Sequence, residues 1–188
     1  CDVLFGIKEA KLESLIPNKH YFFFGHIAKE QPYNRPLIQK MMELGITFSD
    51  YEYLVNENGI RLCAFGWWAG VVGAYNTMRA YGLRTKKFEL EKPGLDFTLD
   101  KLISNLKEVR HLCNTSIIVT GNGKVSQGAQ YVLQQIEAEE LLPETFLNRG
   151  NTDNLVYTVL KAENLVSHKD GLEYDANDFK QNGRNYVS

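Results

Sequence analysis

The sequence predicts an α/β fold made of two successive parallel-sheet regions. Three observations predict it. Short β-branched or aromatic runs at residues 3–7, 21–24 and 116–119 alternate with longer stretches whose apolar residues recur every three or four positions. Turn signals separate these runs: Pro17-Asn18, Gly45, Asn56-Glu57-Asn58-Gly59 and Lys92-Pro93-Gly94. At residues 111–114 the pattern changes, and a second series of strand and helix begins. The 188 residues suit one large domain or two small ones. A 44% hydrophobic and 23% charged composition supplies a core and argues against a disordered chain.

Taken in order, the runs at residues 3–7 and 21–24 read as buried parallel strands. Asn34 caps a helix that carries Pro36 in its first turn, where a missing N–H costs nothing. Leu37, Ile38, Met41 and Leu44 form that helix's apolar face, and Gly45 stops it. Residues 46–55, the turn 56–59 and the alternation Ile60, Leu62, Ala64 read as a hairpin. Residues 65–81 are helical, with Gly70, Gly73 and Ala74 leaving one face nearly bare; such a face admits a second helix or a nucleotide. Leu99, Leu102, Ile103, Leu106 and Val109 mark another helix. The tail from 168 to 188 lacks apolar periodicity and reads as loop, or as a segment packing on a partner outside the chain.

Composition narrows the function classes. A net charge of −2 argues against a dedicated nucleic-acid binder and against an anionic-membrane binder. The longest apolar stretch, 63–78, is too short and too rich in glycine for a membrane span. Cys1, Cys63 and Cys113 form neither a CxxC pair nor an even set. This argues against a zinc knuckle and a disulfide scaffold, and suits a reducing, cytoplasmic setting. The chain opens directly on a strand pattern without a Met or a secretory signal, as a piece of a longer protein would.

The strand at 116–119 runs straight into Gly121-Asn122-Gly123-Lys124-Val125-Ser126-Gln127-Gly128-Ala129. Val125, Ala129, Val132, Leu133 and Ile136 then give a helical face, starting at about Lys124 or Val125. Strand, glycine loop and helix are the opening unit of a Rossmann dinucleotide-binding domain. Gly121 allows the tight turn. Gly123 lets the backbone approach a pyrophosphate seated on the helix N-terminus, and Gly128 lets the helix pack near the strand. The cofactor-binding set is therefore Gly121, Gly123, Lys124, Val125 and Gly128, with NAD or NADP as ligand. Ser126 occupies the usual third glycine position, and a glycine-rich turn without a ligand is the alternative. No acidic ribose partner is evident, since Glu139 and Glu140 fall in the helix or at its end. Residues 156–160 are the best second strand. Lys161 at its tip reads either as an acceptor for a 2′-phosphate, favouring NADP, or as a solvated loop lysine.

Four stretches carry a family resemblance: Gly6-Ile7-Lys8-Glu9, Gly25-His26-Ile27-Ala28-Lys29, Gln31-Pro32-Tyr33-Asn34-Arg35 and Arg61-Leu62-Cys63-Ala64-Phe65-Gly66. Together they resemble the lysine-forming saccharopine dehydrogenases and their alanine dehydrogenase and transhydrogenase relatives. The loop at 121–129 fits the same superfamily, and the resemblance runs over roughly residues 1–160. It implies a partial substrate domain of Rossmann-like parallel sheet at 1–112 and the first part of a Rossmann domain at 113–188, with a cleft between them. Its implied activity is NAD(P)-dependent oxidoreduction at the CH–NH group of an amino acid or an opine-like secondary amine, saccharopine dehydrogenase-like.

By the same resemblance Lys8 and His26 fall on active-site positions. Glu52 and Lys29 fall on charged positions that tune them, and Arg61 falls on an arginine at the cleft. The expected catalytic set is Lys8, His26 and Glu52; the expected substrate-binding set is Lys29 and Arg61; no metal is implied. Such residues suit the chemistry. Oxidising an amine by hydride transfer gives an imine to which water adds, so an acid/base must move protons on and off nitrogen and oxygen, and histidine titrates in the useful range. Lysine can act as second base or polarise a carbonyl, and arginine can grip a carboxylate in two places. From the residues alone, His26 reads as a satisfied histidine at a strand end and Lys8-Glu9 as a surface pair; the resemblance favours the active-site reading. The partner is then a small amino-acid substrate, with no nucleic acid or membrane, in a possible homo-oligomer. The competing readings are an alanine dehydrogenase-like enzyme, a non-catalytic nucleotide-binding or transhydrogenase-like module, and an interaction fragment.

Overall fold

The structure, a computed structural model, describes residues 1–110, 112, 114–150 and 153–188. Strands β1 (Val3–Phe5), β2 (His20–Phe23) and β3 (Thr47–Asp50) pair in parallel in that order, with Phe5 opposite Phe22 and Phe22 opposite Ser49. Helix α1 (Arg35–Glu43) joins β2 to β3, and Leu37 and Met41 on its apolar face bury against Leu15, Tyr21 and Phe23. Alternate residues of a strand point to opposite faces, and the other face of this sheet is open. Phe5 stacks on Phe22 there at 4.9 Å yet is 73% exposed. β1 is thus an edge strand with one uncovered face, not the buried strand its apolar run suggests.

The hairpin expected over residues 46–64 forms only at its tip. The Asp50 carboxylate accepts the Glu52 N–H at 2.9 Å, which curls 51–53 into a helical turn and ends β3. Beyond it, Asn56 Oδ1 accepts from the N–H groups of Asn58 and Ile60, Val55 bridges Arg61 antiparallel, and Leu62 N–H donates to Leu54 O at 2.8 Å.

By contact density the chain divides into two compact units, Cys1–Ala64 and Phe65–Ser188. The second holds a parallel sheet of β4 (Ser116–Thr120), β6 (Val156–Leu160) and the two-residue β5 (Glu139–Glu140), ordered β4-β6-β5. α2 (Gly66–Thr85), α3 (Leu99–Leu106) and α4 (Lys124–Gln135) close its core through Val71, Tyr75, Leu102, Leu106, Val132 and Leu133. The junction expected at 112/113 falls within this unit, and Cys113 lies outside the described residues. α2 and α3, expected with the first region, bury their apolar faces here because their partners are α4 and β6. Among the described residues no strand pairs with the outer edge of β4, where Ile118 is 55% exposed.

α2 and α4 meet backbone to backbone. A Cβ on Gly70 would lie 1.9 Å from the Val125 carbonyl oxygen, and one on Gly128 would lie 2.0 Å from that of Trp67. Gly128 therefore makes room for α2, not for the strand as expected. Gly73, with no atom within 4 Å of an added Cβ, faces open space.

The tail is folded, against the expectation of loop. β7 (Ser167–His168) and β8 (Tyr186–Val187) pair antiparallel around α5 (Ala176–Gln181). Asp175 caps α5 by accepting from Asn177 and Asp178 at 2.8 and 2.7 Å, and Phe179 meets Tyr186 edge-on at 5.0 Å. The segment is held by aromatic rings at irregular spacing, so no helical or strand period marks it. Among the described residues no helix is long and apolar enough to cross a membrane.

Candidate active site and nucleotide-binding loop

In the first unit, Lys8 and His26 each lie three residues beyond the end of their strand. Parallel pairing in matched register brings both to the C-terminal edge of the sheet, where ligands of open α/β sheets collect. They line one cavity of about 590 Å³ together with Glu9, Tyr33 and Asn34. His26 Nδ1 is 2.8 Å from Glu9 Oε1. An ionised carboxylate can only accept, so Nδ1 carries the proton and the lone pair sits on Nε2. Burial pushes the Glu9 carboxyl up. The hydrogen bond to His26, its own backbone amide and the charges of His26 and Lys8 outweigh that and hold it below the usual carboxylate range.

Glu52 stands in the helical turn after β3 with its side chain 7% exposed. Its Oε1 accepts from Lys29 Nζ at 3.0 Å and Arg61 Nη2 at 3.3 Å. Its Oε2 is buried and has no hydrogen-bond partner among the described residues. The Lys29 hydrogen bond holds the carboxyl low; burial opposes it, and the charges of Lys29, Arg61 and His26 add to the lowering. An ionised Glu52 cannot donate a proton, so this geometry suits it to setting the field around His26. Lys29 and Arg61 keep half of their side-chain surface exposed while they pair with it.

Sequence reasoning left two members of this site without a role in it. Glu9 was legible beside Lys8. Asn34 read as a helix cap, yet its side chain makes no bond to helix amides; the amide donates instead to the carbonyl oxygens of Gly25 and His26.

In the second unit, β4 is followed by Gly121 at φ +82°, whose N–H donates to Leu160 O at 2.7 Å. α4 begins at Lys124, at the expected position, with Gly123 before it and no side chain capping the first turn. The leading N–H groups of a helix have no partner within it. Nothing lies within 4 Å of a Cβ added at Gly121 or Gly123, so the loop backbone is open to a ligand. A cavity of about 670 Å³ runs from this loop along Ile118, Lys124, Val125 and the small-residue face of α2 at Gly70 and Gly73. Gly128 does not line it. Lys161 follows β6, the strand beside β4; its N–H donates to Asn164 Oδ1 at 2.9 Å, and its Nζ stands 3.5 Å from Glu163.

No family model matches the chain. The alpha-aminoadipic semialdehyde synthase of Bos taurus, a mitochondrial protein by its name, is 29% identical over 207 residues, covering 99% of this chain and 22% of the relative. The lysine-forming, NAD(+) saccharopine dehydrogenase of Candida glabrata is 33% identical over 73 residues, 38% of this chain and 20% of that protein. A solved L-alanine dehydrogenase superposes with a TM-score of 0.45 at 11% identity, over 85% of this chain and 42% of that one. So loose a match adds nothing to the fold that the strands themselves establish. The chain spans about a fifth of the length of the synthases it matches. Over nearly all of its residues the chain is thus similar to a stretch of the alpha-aminoadipic semialdehyde synthases, and over a shorter part to the lysine-forming saccharopine dehydrogenases.

Proposed function

We propose that the chain belongs to an NAD(P)-dependent oxidoreductase that acts on the CH–NH group of an amino acid or a saccharopine-like secondary amine. The observation that carries this reading is the Glu9-backed His26 sharing one cavity with Lys8. His26 Nε2 takes and returns the proton at substrate nitrogen or oxygen. Lys8 acts as second base or polarises the carbonyl, and Glu52 keeps the site's cations in place. Arg61 and Lys29, half-exposed beside Glu52, are the cations for a substrate carboxylate. In this reading substrate chemistry belongs to residues 1–112 and cofactor binding to residues 113–188.

The glycine loop fits a dinucleotide, because Gly121 makes a left-handed turn and Gly123 leaves the first turn of α4 unobstructed. A bound nicotinamide would supply hydride transfer. Gly121, Gly123, Lys124 and Val125 hold the pyrophosphate, and Lys161 is the cation placed for a 2′-phosphate. A cytoplasmic site belongs to this proposal too, and the mitochondrial relative makes imaging its test. The cofactor reading is tested by fluorescence titration of the chain with NADH and NADPH. Gly123→Val is expected to abolish binding of both and to leave the circular dichroism spectrum unchanged. Equal dissociation constants in the two proteins overturn it. An NADPH preference that survives Lys161→Ala removes Lys161 from the site.

A further inference from the structure

Asn34 is 6% exposed and lies directly before α1, where its residue type invites capping. Its carboxamide faces the other way. Nδ2 donates one hydrogen to Gly25 O at 3.1 Å and the other to His26 O at 3.2 Å. Both carbonyls belong to the turn that follows β2. That turn is a forced one. His26 sits at φ +50°, a conformation that a side chain with Cβ resists. Gly25 is pressed so close to Phe48 that an added Cβ would lie 2.7 Å from its ring. Two consecutive carbonyls turned inward also need donors, since a buried unpaired oxygen is costly. One primary amide with two N–H groups answers that demand, and Asn34 brings it from the next element of the chain.

The consequence reaches the imidazole. The left-handed backbone at His26 sets the direction of its Cβ, and that direction delivers Nδ1 to Glu9 at 2.8 Å. Charged groups from each neighbouring segment share in the site's electrostatics: Glu9 and Lys8 after β1, and Glu52 after β3. Among the described residues, Glu9 is the group whose hydrogen bond fixes which ring nitrogen holds the proton. We propose that Asn34 is a positioning residue: its carboxamide clamps the Gly25–His26 turn and so keeps His26 in the Nδ1–H tautomer, with Nε2 bare toward the cavity. The inference rests on His26 as the acid/base group, and adds that its tautomer is set by the residue that precedes α1.

The test is the tautomer itself, read from two-bond ¹⁵N–¹H correlations of the neutral His26 ring. The native chain should show the Nδ1–H form, and Glu9→Gln should shift it toward the Nε2–H form that a free histidine side chain prefers. Asn34→Leu, which fills the space without donors, should give the same shift, and adding Glu9→Gln to it should change nothing further. Asn34→Asp, of equal size but facing the two carbonyls with an acceptor, should match Asn34→Leu and decides the matter if that variant does not fold. An Nδ1–H signal that persists in a folded Asn34 variant overturns the clamp. Turnover of the complete protein separates this from the parent reading. A lost tautomer with unchanged kcat leaves the clamp standing and removes His26 from the chemistry. Lost kcat with an unaltered tautomer overturns the clamp alone.

Discussion

At the scale of single residues, the first unit brings Lys8 and Glu9 into one cavity with His26, and Lys29 and Arg61 to Glu52, so each carboxylate has a separate task. Glu9 is tied to the imidazole and Glu52 to Lys29 and Arg61. His26→Gln and Lys8→Met in the complete protein should each lower kcat/KM by about 10²–10⁴, the usual contribution of a positioned proton-transfer group, and each should remove one ionisation from the pH profile. Near-native turnover in both would leave these residues without a catalytic part. Glu52 makes a different prediction. Its carboxyl titrates below its unfolded value of about 4.3. The ion pairs therefore add stability above that pH, and the contribution is lost as pH falls through the lowered folded value. Urea midpoints of the native chain should decline between about pH 5 and 3. Glu52→Gln should start lower at pH 7 and decline less steeply, and parallel curves would show that the pairs contribute nothing.

At the scale of elements, the crossing of α2 and α4 is the most sharply determined contact. Alanine normally replaces glycine inside a helix with a gain of about 1 kcal/mol. Gly73→Ala, facing open space, should show that gain. Gly70→Ala and Gly128→Ala should show the reverse, because each new methyl would meet a carbonyl oxygen of the opposite helix near 2 Å. Overpacking of this kind costs about 1–3 kcal/mol, and a backbone obstacle yields less than a side chain does. Thermal melts followed by tryptophan fluorescence suit the comparison, since Trp67 and Trp68 both begin α2. Equal melting temperatures for Gly70→Ala and Gly73→Ala would contradict the geometry. The same contact shows where sequence reading stops. The order strand, glycine loop, helix lies within some twenty residues, so the start of α4 at Lys124 was legible. The partner of Gly128 is Trp67, some sixty residues away, and no local pattern names it. The two donors of Asn34 are hidden likewise, because a cap and a clamp use the same residue type at the same place.

At the scale of the whole molecule, the two units differ in core. The first packs five buried apolar residues, Leu15, Tyr21, Phe23, Leu37 and Met41, into one cluster, whereas the second joins thirteen. Small cores leave little margin over conformational entropy. Hydrogen exchange should therefore be faster in β2, although it is the central strand of its sheet, than in β6. Slower exchange in β2 would mean that cluster size does not govern stability here. β1, β2, β4 and β6 were readable because each is a short apolar run between turn signals, whereas β5, two glutamates that read as helix or helix end, was not. The extent of β3 was not either, because the Asp50 cap curls 51–53 into a helical turn and leaves the turn at 56–59 to close only the short ladder at Val55 and Arg61. The fold class could thus be read from local pattern, while the topology depended on partners distant in sequence.

The uncovered margin of β4 has a practical consequence. Its five residues, Ser116-Ile117-Ile118-Val119-Thr120, contain no charge and no proline. They lack the gatekeepers with which proteins keep sheet margins from adhering to one another. Two molecules meeting there could extend one sheet across both, so handling the isolated chain at high concentration invites fibrous or amorphous aggregates.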